Sequence, residues 1–385
     1  MGLAKFETRV YNLLADVDVH IGGDRAWDIQ VHDDRFFQRI LAQGSLGLGE
    51  SYMEGWWDVA TLDQFFNKLL STDIEHRVKS RVYLWAALQA KLFNLQNIRR
   101  AFHVGEQHYD IGNDLFECML DKRLTYTCGY WKGATNLDQA QENKLDLVCR
   151  KIGLQENQRI LDIGCGWGSF IKFAAERYGA QAVGVTVSKE QAEYAKNDCA
   201  GLPVDVRLQD YRELNEKFDH IVSLGMFEHV GPKNYKSYMK AVSRCLKDDG
   251  LFLLHTIGSY YTRHSPDPWF NKYIFPNGVI PSMNDITMAF DKKFILEDYH
   301  SFGTDYDKTL MAWFDNFENG WKHLSKRYGE QHYKMWKYYL LSCAGAFRAR
   351  NLQLWQFVLS KEGVKGVIHQ FGDYILAGAL MRYDT

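Results

Sequence analysis

The segment Leu161-Asp-Ile-Gly-Cys-Gly-Trp-Gly168 constrains the fold more tightly than any other stretch of the chain. It closes a short apolar run, Arg159–Ile163, and opens a helical pattern, Gly168–Tyr178, so it reads as a strand-to-helix turn. Gly164, Gly166 and Gly168 alternate with other residues, and glycine there permits positive φ and lets a ligand approach bare backbone. This spacing is not the G-x-G-x-x-G of a dinucleotide site. Asp162 stands at the strand end, where its carboxylate disfavours a diphosphate at the helix N-terminus and suits the ammonium of an adenosine that carries an amino acid.

The pattern repeats downstream. Short β-rich runs at Ala182–Thr186, Val204–Gln209, His220–Leu224 and Leu251–Ile257 alternate with helical stretches such as Lys189–Cys199. Alternation of this kind implies a parallel sheet covered by helices on both faces. Lys293–Tyr299 reads as a further strand, and Leu352–Leu359 as a final edge strand. The fold class expected is α/β: a Rossmann-like, mostly parallel seven-stranded sheet with helical insertions over residues 109–385. A smaller, mainly helical domain is expected over 1–95, with a linker at 96–108. Phe36–Leu48 and Leu62–Leu70 carry its helix-spaced apolar residues, and Gly44–Gly49, which lacks Gly-Lys-Ser/Thr, reads as a turn between helices.

Composition removes several alternatives. The formal net charge of -2 gives no global field for nucleic acid. The 7 cysteines form no C-x-x-C pair and are odd in number, so neither a disulfide framework nor a metal site is expected. No basic-then-apolar leader opens the sequence and no run of 18 apolar residues occurs, so a cytoplasmic location is expected. Arg77–Arg100 is locally unusual: it holds Arg77, Lys79, Arg81, Lys91, Arg99 and Arg100 without an acid, and Leu84, Leu88 and Leu92 recur every fourth residue. Such a basic amphipathic pattern has two readings, a core-facing helix with a solvated back or contact with an anionic membrane surface.

Further segments carry a family resemblance. The glycine loop is similar to that of class I methyltransferases, in which an acid about 20 residues on usually holds the ribose. Thr186 stands there instead, within Val185-Thr-Val-Ser-Lys-Glu-Gln191, and this departure resembles the cyclopropane and mycolic acid synthases. Tyr126-Thr-Cys-Gly-Tyr-Trp131, Gly225-Met-Phe-Glu-His-Val-Gly231, Leu254-His-Thr-Ile-Gly258, Tyr273-Ile-Phe-Pro-Asn-Gly278 and Cys343-Ala-Gly-Ala-Phe-Arg348 resemble the same family, and the N-terminal Gly-Trp-Trp resembles its bacterial phospholipid-acting branch. The resemblance implies S-adenosylmethionine as methyl donor, bound by Tyr126, Thr127, Asp162, Gly164, Gly166, Gly168, Thr186, Gln191, Leu208 and Gln209. Gln191 has a rival role, since Ser188-x-x-Gln191 is a capping box.

The reaction so implied is methylene transfer to the cis double bond of a phospholipid acyl chain. It passes through a carbocation that must be kept from water and deprotonated, and aromatic faces such as Tyr130, Trp131, Phe227, Tyr273 and Phe275 suit a cation. The resemblance implies a bound bicarbonate as the base, held by Glu228, His255 and Tyr306 with backbone near Cys128 and Ile257; Cys128 and Cys343 line the site. His255 as a core histidine, Tyr306 as a turn residue and the two cysteines as packing are the plain alternatives. A lipid C-methyltransferase that leaves a branch methyl is the nearest rival activity. A scaffold without catalysis is the other, and an intact glycine loop beside Glu228 and His255 argues against it. The resemblance also implies a homodimer that meets the membrane transiently and peripherally.

Reversing charge in the basic segment tests the membrane reading. Each basic residue near an anionic leaflet contributes about 1 kcal/mol, within a Debye length. Lys79→Glu with Arg81→Glu should release the chain from anionic vesicles in sedimentation, and raised salt should do the same to the unmodified chain. Binding indifferent to both would place the segment against protein instead.

Overall fold

The computed structural model describes residues 3–72 and 112–364; the basic segment Arg77–Arg100 and the linker expected at 96–108 lie outside the described residues. Seven strands form the main sheet: β3 (Arg159–Ile163), β4 (Gln181–Thr186), β5 (Val204–Leu208), β6 (Phe218–Leu224), β7 (Leu246–Ser259), β8 (Ile295–Ser301) and β9 (Leu352–Ser360). Their order is β5-β4-β3-β6-β7-β9-β8. Every pairing from β5 to β7 is parallel, and β9 runs antiparallel to both of its neighbours.

The last strand is therefore not at the edge, as its place in the sequence suggested. From Leu354 to Ser360 every residue of β9 is buried, which needs cover on both faces and a partner on both sides. No residue of β8 is buried, and that strand takes the edge.

Alternation along the strands sorts two cores. Ile160, Val222, Leu253 and Val358 face α6 (Leu137–Lys151), α7 (Ser169–Tyr178) and α8 (Lys189–Asp198). Leu161, Ile221, Phe252 and Phe357 face α9 (Tyr235–Cys245) and α11 (Met283–Phe290). A third core lies beyond the strands and is rich in aromatic rings. It joins α1 (Leu3–Ala15), α2 (Arg35–Gln43), α3 (Ser45–Met53) and α4 (Leu62–Leu70) to α5 (Asn113–Met119), α10 (Pro268–Tyr273), α12 (Thr304–Leu324) and α13 (Glu330–Arg348). A two-stranded ribbon, β1 (Ile29–Val31) with β2 (Trp57–Val59), braces the N-terminal helices. Among the described residues no helix is long and apolar enough to cross a membrane.

The expected turn at Gly44–Gly49 is mostly helix. Only Gly44 turns the chain, at φ +61°, and α3 begins at Ser45. Its glycines serve close approach: a Cβ at Gly47 would collide with the Arg39 carbonyl, and one at Gly49 with the indole of Trp269. Glu50 follows on the same helix. Its carboxylate accepts hydrogen bonds from Arg39 Nη2 at 2.6 Å, Lys272 Nζ at 2.5 Å and Tyr273 Oη at 2.9 Å, so α3 and α10 are joined by contact and by charge.

Overpacking at this contact is measurable. Gly49→Ala should cost about 1–3 kcal/mol in denaturant unfolding. In a Trp269→Ala background the same change should cost less than half of that, because no ring remains for the new methyl group to strike. Equal costs in both backgrounds would show that the helix does not depend on this contact.

Candidate active site

The carboxyl ends of β3, β4, β5 and β6 surround one cavity, where an open parallel sheet holds its ligands. The glycine loop forms its floor. Gly164, Gly166 and Gly168 all take positive φ, at 87°, 55° and 93°. A side chain on Gly164 would strike Met226, whereas one on Gly166 would enter open space within the cavity. Gly168 has a different task. It starts α7 and lies against Ala195, so it packs two helices together and does not line the cavity.

Asp162 is wholly buried on the lining, and among the described residues its Oδ1 has no hydrogen-bond partner. Burial pushes its carboxyl up to about 7, against the pull of Lys144. On the next strand Thr186 Oγ1 donates to Gln191 Oε1 at 2.9 Å, and Ser188 Oγ accepts from the Gln191 amide nitrogen at 3.3 Å. The capping box is thus half made: the Gln191 side chain turns to Thr186 and lines the cavity instead of closing back on Ser188. Gln209 also lines the cavity, while Leu208 is 44% exposed and points away from it. Tyr126 and Thr127 also line the cavity. Glycines that leave ligand room, an unpaired buried acid and polar groups around an apolar wall fit an adenosine that bears an amino acid.

The second group of predicted residues gathers next to this cavity but is not part of its lining. Glu228 follows β6, and its Oε1 accepts from the Ile257 backbone N–H at 2.6 Å. Its Oε2 is buried without a hydrogen-bond partner among the described residues. His255 lies two residues before Ile257 on β7, hence on the same face. Its Nδ1 is 3.2 Å from Gln356 Nε2, and its own Nε2 is buried without a hydrogen-bond partner among the described residues. With Gln356 donating, the imidazole proton sits on Nε2. Burial sets the charge states: it raises Glu228 to about 7 and holds His255 well below the usual imidazole range. The phenol of Tyr306 is pushed well up, first by burial and then by Cys128 and Glu228. Cys128 and Cys343 are also raised by burial, so both remain thiols.

The aromatic wall is real but differs in membership from the sequence reading. Tyr126 Oη donates to Tyr339 Oη at 2.8 Å, and its ring lies 5.2 Å from Trp313 and 6.4 Å from Phe275. Tyr306 lies 5.9 Å from Trp313 and 4.5 Å from Phe347. Phe227 is elsewhere, stacked on Tyr235 at 4.3 Å in the core beneath the sheet. Tyr130 packs on His300 and Phe302, Trp131 Nε1 donates to Thr309 Oγ1, and Tyr273 is held by Glu50. Of the five rings singled out, Phe275 packs directly on Tyr126; Tyr130, Trp131 and Tyr273 pack on the same aromatic core through other neighbours, and Phe227 alone belongs to a different core.

Sequence reasoning missed Lys144, which is wholly buried and lines the cavity. A signal existed: Gln141, Lys144, Leu145 and Val148 fall on one helical face, so the lysine occupies a core position. It also missed Arg212, His229, Pro276 and Asn277 on the rim.

A parallel sheet with one antiparallel strand near its end, a glycine loop and an unpaired acid beside it define a class I S-adenosylmethionine-dependent methyltransferase. Residues 96–357 match the family described as mycolic acid cyclopropane synthetase, and the chain belongs to that family. It is 51% identical over 353 residues to the cyclopropane-fatty-acyl-phospholipid synthase of Escherichia coli K12, across 91% of this chain and 92% of that one. A probable fatty acid methyltransferase of Pseudomonas putida is 34% identical over 272 residues, covering 67% of this chain and 69% of its own length. A mycolic acid cyclopropane synthase crystallised with S-adenosylhomocysteine and CTAB superposes with a TM-score of 0.63 at 31% identity, over 68% of this chain and 98% of that one.

The buried carboxyl of Glu228 leaves a signature in stability. Its folded pKa is raised from 4.5 to about 7, so between these values the unfolded chain loses a proton that the folded chain keeps. The contribution of Glu228 to stability is fully present below pH 4.5 and is lost as pH rises through 7. Glu228→Gln cannot titrate and should therefore gain on the native chain by on the order of 1–3 kcal/mol between pH 4.5 and 7.5. Unfolding curves that keep a constant separation over this range would show that the carboxyl is not held in its neutral form.

Proposed function

We propose that the chain carries out the reaction of a cyclopropane-fatty-acyl-phospholipid synthase, transferring a methylene group from S-adenosylmethionine to the cis double bond of an unsaturated phospholipid acyl chain. What supports this most is the dry aromatic wall beside the cofactor cavity, with Glu228 Oε2 and His255 Nε2 buried at its edge and unpaired. The likeness to the Escherichia coli enzyme covers 91% of this chain and points the same way. The cofactor supplies an electrophilic methyl group on a sulfonium that leaves as a neutral thioether.

The residues divide the work. Asp162 meets the amino-acid end of the cofactor, and Thr186, Gln191 and Gln209 meet its adenosine end. Tyr126, Trp313, Tyr306 and Phe275 exclude water and turn ring faces toward a developing cation. At neutral pH the nearby titratable groups, His255, Tyr306, Cys128 and Cys343, are uncharged, and Glu228 sits at its midpoint. None of them is a strong base. A protonated Glu228, the His255 Nε2–H and the Tyr306 hydroxyl are hydrogen-bond donors that would together hold a bicarbonate, which would supply the missing base. Thiols raised by burial offer no nucleophile, in keeping with direct transfer from the sulfonium. The N-terminal helical domain and the basic segment 77–100 are assigned to the lipid surface, and the enzyme to the cytoplasmic side of the membrane as a peripherally bound homodimer.

Incubation with vesicles of unsaturated phospholipid and labelled cofactor should yield the upfield ring methylene in proton NMR. A branch methyl in its place would select the C-methyltransferase reading. Glu228→Gln should lower kcat at least about 100-fold with cofactor affinity little changed, as for a contact made only in the transition state. Activity should also fall in carbonate-free buffer and return on adding bicarbonate; full activity without carbonate would leave a side chain as the base.

A further inference from the structure

Lys144 is a buried cation for which the reaction outlined above has no role. It lies on the covered face of α6, lines the cofactor cavity and has no exposed surface. Its Nζ donates to Thr127 Oγ1 at 2.9 Å, the hydrogen bond the described residues provide it. An ammonium taken from water costs several kcal/mol unless an anion compensates it. Two carboxylates act on it through space, those of Asp121 and Asp162. Asp121 is committed elsewhere: it accepts from the backbone N–H groups of Thr125 at 2.8 Å and Arg123 at 3.1 Å. Asp162 keeps an unpaired oxygen.

Thr127 is held firmly for this contact. Its carbonyl accepts from Gln141 Nε2 at 2.7 Å, one turn before Lys144 on the same helix. Its methyl group fills the space over Gly225, where a Cβ would collide with it. Lys144, buried directly behind Thr127, and Asp162 thus place a positive and a negative group at the cavity. A cation and an anion, both buried and incompletely paired on one cavity wall, are the complement of a zwitterion.

We propose that Lys144, positioned on Thr127, receives the carboxylate of the cofactor's methionyl group while Asp162 receives its ammonium. This rests on the reading of the cavity as the S-adenosylmethionine site and adds the residue that selects an intact amino acid there. The ion pair that Lys144 lacks among the described residues is then made with the ligand. Arg212, the other strong cation on the lining, is already paired with Asp210 at 2.7 Å.

Calorimetric binding of two ligands separates this role from a structural one. S-adenosylhomocysteine carries the amino acid, and 5′-methylthioadenosine lacks it. Lys144→Met removes the charge and keeps the length. It should weaken S-adenosylhomocysteine by about 30-fold or more and methylthioadenosine by less than about threefold, the size expected for one charge-assisted contact. Lys144→Arg should recover part of the loss. Equal weakening of both ligands, or none for S-adenosylhomocysteine, would overturn the proposal and leave Lys144 as a brace between α6 and the Thr127 segment. Should the methionine variant fail to fold, the native chain still decides. Decarboxylated S-adenosylhomocysteine must bind it at least about 30-fold more weakly than the intact ligand, and equal affinity would overturn the proposal. Failure of the native chain to bind S-adenosylhomocysteine at all would refute the reading of the cavity itself.

Discussion

Tyr126 stands where the aromatic core of the helical layer meets the carboxyl ends of the sheet, and the rest of the site depends on that junction. Its ring packs on Phe116 and Trp313, its hydroxyl is tied to Tyr339, and its neighbour Thr127 is pinned by Gln141 and Lys144. Each fully buried ring of this kind contributes roughly 1.5–3 kcal/mol by leaving water. The sum over α4, α5, α12 and α13 holds the segment 124–131 across the mouth of the sheet. Without that seam the glycine loop would be an open crevice, and the groups that follow β6 and β7 would be wet.

Dryness explains the electrostatics. Asp162, Glu228, Lys144 and His255 are each displaced toward the neutral form, with burial as the first cause in every case. A protein stabilised by 5–15 kcal/mol overall does not carry four such groups without use. The compensation is divided: Glu228 has the Ile257 N–H, His255 has Gln356 and Lys144 has Thr127, while Asp162 Oδ1, Glu228 Oε2 and His255 Nε2 have no hydrogen-bond partner among the described residues. In the reaction proposed above, neutral donors around a buried acid would hold the anion, and the aromatic wall would face the cation that the anion relieves of a proton. Both species are poorly tolerated by bulk apolar protein and well tolerated here.

The N-terminal helices take part in the same arrangement. Glu50 gathers Arg39, Lys272 and Tyr273, and Gly49 admits Trp269, so α10 is clamped against α3 just before the chain passes through Pro276 and Asn277 on the cavity wall. Arg348 at the end of α13 joins Asp63 of α4 to Asp307 of α12. These contacts give the first seventy residues a direct mechanical hold on the site.

Local pattern sufficed where a short stretch decides its own geometry. The glycine loop, the alternation of strands with helices and the acid at the end of β3 were all legible, because positive φ, period-two burial and strand-end position are written in adjacent residues. The gathering of Glu228, Ile257 and Tyr306 was available through motif resemblance, and its shape was not. Long-range packing decided the rest. Leu352–Ser360 reads as any apolar strand, and only the antiparallel slot between β7 and β8 explains why both of its faces are buried. Gly47 and Gly49 read as a turn until the Arg39 backbone and the Trp269 ring are placed against them. Phe227 and Phe275 look alike in sequence, yet one lies under the sheet and the other on the wall. Lys144 looked like an ordinary helical lysine, since the cavity that makes its charge meaningful is assembled from segments far apart in the chain, and burial is a property of that assembly.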